Sequence, residues 1–112
     1  MSKNNFKRLL EMLSLDEQKM VILTYRDYKV AVQGVPEMSF GFDFQENLDC
    51  AVLKGDYKGI GMLRAGLREV FQIVISVQKH KDANPPVFNA FFKDNLPRHV
   101  FEKLYGEAGV EI

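Results

Sequence analysis

Only one cysteine, Cys50, no tryptophan and four prolines stand among the 112 residues. A single thiol cannot close an intrachain disulfide or build a four-thiolate metal site, and that usage fits a reducing compartment, read as the cytoplasm. An excess of one charge is also missing, because fifteen Lys and Arg balance fifteen Asp and Glu. This removes the long-range positive field with which a dedicated nucleic-acid or anionic-membrane binder captures its partner. Long apolar runs are absent too. The most apolar stretch, 70–77, is interrupted by Gln72 and Ser76 and is far shorter than the roughly 20 residues that cross a bilayer, so no membrane span is expected. The first thirteen residues carry Glu11 and lack the charged, apolar, small-residue order of a secretion signal.

What is present describes an ordinary folded chain: 46% apolar and 27% charged residues, at a length that one hydrophobic core serves. The expectation is a single domain over 1–112. Phe6, Leu9, Leu10 and Leu13 recur at helical spacing and predict a helix over 4–13. Ser14 followed by Glu17 is a capping box, in which each side chain satisfies the other residue's free backbone N–H, so a second helix can begin at Leu15. The apolar run 20–25 is read as part of it.

From Tyr28 the period changes. Tyr28, Val30 and Val32 alternate with Lys29, Ala31 and Gln33, the stretch 34–37 carries turn residues, and Met38, Phe40, Phe42 and Phe44 then fill every second position. This predicts a β-hairpin over 28–44, with a further strand over 49–54. Ile60, Leu63, Leu67, Val70, Val74 and Val77 form one three-four stripe, the pattern of a long central helix over 57–78. The β-branched residues of 70–77 pull toward a strand, but the unbroken stripe decides for helix. Asn84, Pro85 and Pro86 read as an extended connector. The apolar groups at 87–92 and 100–105 predict C-terminal helices. The fold class expected is therefore α+β, a small antiparallel sheet packed against helices.

Each chemical motif has a plainer explanation. Gly55, Gly59 and Gly61 lie where a phosphate loop would sit, but Ile60 follows Gly59 where a P-loop needs lysine, so a plain turn with a loose helix start accounts for them. The alternating Phe40 and Phe42 resemble the stacking rings of an RNA-binding strand, yet Glu37, Asp43 and Glu46 beside them would repel phosphate, and burial in a sheet explains the alternation. Asp43, Glu46 and Asp49 match no known calcium loop and read as solvated carboxylates. Cys50 has no histidine near it in sequence, although His80 or His99 could serve it as a base in a folded site. Lys54, Lys58, Arg64 and Arg68 fall in four-residue pairs and form a basic ridge or a solvated helix face. No catalytic residue, cofactor or metal is assigned.

The remaining signal is bulk: nine Phe, four Tyr and five Met in a small chain. Such residues either fill one core or serve a partner. The expected function is a non-enzymatic protein-binding domain, regulatory, adaptor or inhibitory, that self-associates or binds a protein partner. Its interface candidates are Phe88, Phe91 and Phe92 with the helix stripe Leu63, Leu67, Val70 and Val74. The alternative is nucleic-acid binding through Phe40 and Phe42 or through Lys54, Lys58, Arg64 and Arg68.

Overall fold

A computed structural model describes residues 2–32, 34, 57–79 and 85–109. Among these the chain forms five α-helices and no strand: α1 (Ser2–Met12), α2 (Leu15–Ala31), α3 (Tyr57–Lys79), α4 (Pro85–Asn95) and α5 (Arg98–Glu107). The α+β expectation is thereby overturned. The proposed hairpin is lost at its first strand, because α2 runs through Tyr28 to Ala31. The helical hydrogen bond from the Val32 N–H to the Tyr28 carbonyl closes at 2.8 Å. The rest of the proposed hairpin and the strand over 49–54 lie outside the described residues.

The physical reason is visible in what α2 buries. Gln18, Val21, Ile22, Tyr25 and Tyr28 are enclosed at helical spacing, and Tyr28 is the last member of that series. Val30 and Val32, its supposed partners in a period of two, are instead exposed. Position 28 belongs to both periods, and only burial separates them. At the other end, Ser14 takes an extended conformation as the N-cap. The Glu17 N–H donates to Ser14 Oγ at 3.1 Å, and the Ser14 N–H donates to Glu17 Oε1 at 2.9 Å. Both arms of the capping box are formed, and Asp16 and Glu17 face the positive end of the helix dipole.

Residues 70–77 are helical, inside the 23-residue α3. Leu63, Leu67, Val70, Phe71 and Val74 are buried along it, with Ile60, Ile73 and Ile75 packed at the edge of the core. Gly59 and Gly61 belong to the first turns of this helix. The extended connector expected at the prolines is corrected: α4 starts at Pro85, and both Pro85 and Pro86 occupy the first helical turn, where a missing N–H costs no hydrogen bond. Phe88, Phe92 and Leu96 follow at four-residue spacing and are buried. α5 starts behind Pro97, buries Val100, Phe101, Leu104 and Tyr105, and stops at Gly109, whose φ of 78° is a left-handed conformation that suits glycine.

The central packing is α2 against α3, with α4 laid on α2 and α1 on α5. Smaller contacts of α1 and α4 with α3, and of α4 with α5, close the bundle. Aromatic rings join the layers. Phe6 of α1 meets Phe71 of α3 with centroids 5.7 Å apart, and Tyr28 of α2 meets Phe88 and Phe91 of α4 edge-on at 5.0 and 5.7 Å. Within α4 and α5, the four-residue pairs Phe88–Phe92 and Phe101–Tyr105 stack at 4.6 and 4.3 Å. Rings in these geometries add about 0.5–1.5 kcal/mol per pair to what burial alone provides.

The crossing of α2 and α3 is close at Gly66, where a Cβ would lie 3.0 Å from Ile22 Cδ1. Two effects of similar size then oppose each other in Gly66→Ala: up to about 1 kcal/mol of helix propensity in favour and about 1–3 kcal/mol of overpacking against. The substitution is expected to be neutral or destabilising in the wild type. In an Ile22→Val background, which lacks the obstructing methyl group, it should stabilise by up to about 1 kcal/mol, as read from urea midpoints. Equal effects in the two backgrounds would show that the helices do not meet there.

Candidate functional site

Polar groups converge at the elbow between α1 and α2. Glu17 is fixed there by its part in the capping box, and its side chain is only 16% exposed. From α5, Lys103 Nζ reaches Glu17 Oε1 and Oε2 at 3.4 and 3.3 Å and donates to the Met12 carbonyl at 3.2 Å. Met12 ends α1, so its carbonyl is one of those that the helix leaves without an internal partner. One ammonium group therefore caps α1 and neutralises the glutamate that caps α2. His99, one turn earlier on α5, places Nε2 3.2 Å from Glu17 Oε2 but is itself 64% exposed. A longer pair, Arg8 to Glu107 at 3.6 Å, joins α1 to α5 further along.

The electrostatics of this clasp favour the ionised carboxylate. The Ser14 backbone N–H holds the Glu17 pKa below its ordinary value of 4.5; burial opposes this, while Lys103 and His99 reinforce it. A general acid working near neutral pH needs the opposite shift. The arrangement therefore suits a structural fastening. Directly behind it, Gln18 is 2% exposed, and its Nε2 donates to the Leu13 carbonyl at 3.1 Å. Its Oε1 is enclosed with no hydrogen-bond partner.

Two buried tyrosines fasten other joints. The Tyr105 hydroxyl donates to Asn89 Oδ1 at 2.7 Å, tying α5 to α4, and burial pushes its pKa up. Tyr25 is also pushed up, first by burial and then by its hydrogen bond to Glu69, which ties α2 to α3. Both phenols stay protonated, as hydrogen-bond donors, across the neutral range.

The residues singled out from sequence are dispersed. Leu63, Leu67, Val70, Val74, Phe88 and Phe92 are all covered by the chain's own helices. They belong to one buried core, so a partner could reach them only by opening the bundle. Phe91 is half-buried against Tyr28. Of the basic ridge, Arg64 and Arg68 are exposed on α3, and the Arg68 guanidinium lies 5.1 Å from the Phe6 ring centroid. Lys58 is in the first turn of α3. Phe40, Phe42, Lys54, the three carboxylates at 43, 46 and 49, Cys50 and His80 lie outside the described residues. His99, considered as a base for Cys50, is engaged with Glu17. Among the described residues no three His, Cys, Asp or Glu side chains gather as a metal site, and no helix is long and apolar enough to cross a membrane.

Family models, curated proteins and solved structures give no match to this chain. The candidate surface is therefore defined by its own geometry.

Apolar groups remain exposed at the end of α2 and the start of α4. Val30, Val32 and Val87 are 46%, 43% and 46% exposed. Val32 stands one helical turn beyond Tyr28, and Val87 one turn before Phe91, so two of the three extend the faces that meet in the Tyr28–Phe91 ring contact. Sequence reasoning missed this surface because it assigned Val30 and Val32 to a strand of the hairpin. It found both halves of the capping box but not Lys103, which is 86 residues from Glu17. No local pattern marks such a partner.

Removing Lys103 leaves Glu17 short of a cation and the Met12 carbonyl short of a donor. Lys103→Met should cost about 0.5–1.5 kcal/mol in chemical denaturation, and less when Glu17→Gln is already present. Glu17→Gln keeps an acceptor for the Ser14 N–H and removes only the charge. Because the folded-state pKa of Glu17 is depressed, its charge contributes fully above the ordinary value of 4.5 and loses that contribution as pH falls through the folded value. The stability advantage of wild type over Glu17→Gln should therefore hold at neutral pH and vanish in acid. An advantage that grew on acidification would contradict the clasp.

Proposed function

We propose that this chain is a non-enzymatic helical protein-binding domain, of a regulatory, adaptor or inhibitory kind, that self-associates through the apolar end of α2 and α4. The supporting observation is the exposure of Val32 and Val87, one helical turn from Tyr28 and from the half-buried Phe91 respectively, while the other large apolar side chains of α4, Phe88 and Phe92, are enclosed. Single exposed valines are ordinary on a soluble protein, whereas valines that extend two helix faces already meeting in a ring contact offer a patch that a partner helix can cover. Balanced charge supports association between copies, since a formal net charge of zero leaves no long-range repulsion to oppose it.

On this reading recognition works by shape and apolar burial, with the bundle holding the patch rigid. Rigid presentation lowers the ordering cost of binding, which otherwise offsets much of what burial contributes.

Sedimentation velocity over a wide concentration range tests the proposal. The wild type should show a mass rising above 12.9 kDa. Val32→Lys and Val87→Lys, both at exposed positions, should return it to the monomer with thermal stability within about 0.5 kcal/mol of wild type. A wild type that stays monomeric at every concentration would overturn self-association, and lysine variants that associate as well as wild type would overturn the surface.

A further inference from the structure

We draw no further inference here: the strongest candidate, the open cleft of about 400 Å³ between α4 and the start of α5 lined by Lys93, Arg98, Phe101 and Glu102, carries nothing because Arg98 is highly exposed and already paired with Glu102 at 2.7 Å and no enclosed, unpartnered polar group there points to a ligand.

Discussion

The stripe of α3 against α2 is the contact on which the other helices depend. Leu63, Leu67, Val70 and Val74 present a continuous apolar edge, and Gly66 lets the α2 side chain Ile22 come closer than any residue with a Cβ would readily allow. Each fully buried Leu or Val contributes about 1.5–3 kcal/mol relative to an exposed one. Tyr25, bonded to Glu69, adds a directional tie across the same pair of helices. With α2 and α3 in place, Tyr28 offers α4 a ring to pack on, and Phe71 offers the same to α1 through Phe6. The order of dependence thus runs outward from a helix pair to the helices that cover it.

Polar fastenings matter most where apolar packing alone would leave an angle free. The elbow between α1 and α2 has only Leu13 and Ser14 between the two helices. Leu13 anchors it apolarly, while the Ser14–Glu17 box sets where α2 begins. Lys103 then ties the elbow to α5 by touching groups at both helix ends. A weakly exposed carboxylate with several donors is worth more than the surface pair Arg98–Glu102, whose members are largely in water. Tyr105 does the corresponding work between α5 and α4, through Asn89. Most of these ties join residues distant in sequence, so they select one arrangement of helices that local propensity would leave undecided.

How much of this can be read from sequence depends on whether a signal is local. The capping box and the stripe of α3 are local, and both mark real helices. The alternation at 28, 30 and 32 is also local but misleads, since three residues cannot distinguish a strand from the last turn of a helix once Val30 and Val32 face solvent. Pro85 and Pro86 mislead for a related reason: proline excludes a helix interior but suits a first turn, and the sequence alone does not say which side of the boundary it marks. The bulky residues chosen as an interface were judged by size. Phe88, Phe92 and the α3 stripe are all buried in one core, which no single helix pattern reveals. The smaller valines, unremarkable in sequence, are among the apolar groups left outside, together with Met12 and Met20. Lys103 was invisible because its partners are assembled only by folding.

The function proposed rests on this division between an enclosed aromatic interior and a modest apolar end, and that division rests in turn on α2 and α3 forming the stable centre. Residue-resolved hydrogen exchange under native conditions measures this most directly. Amides over 21–28 in α2 and 63–74 in α3 should exchange slowest and share one opening free energy, equal to that of global unfolding. If α2 instead exchanged at the rate of a fraying terminus while α1 and α5 stayed protected, the helix pair would not be the centre of the fold and the account built on it would fail.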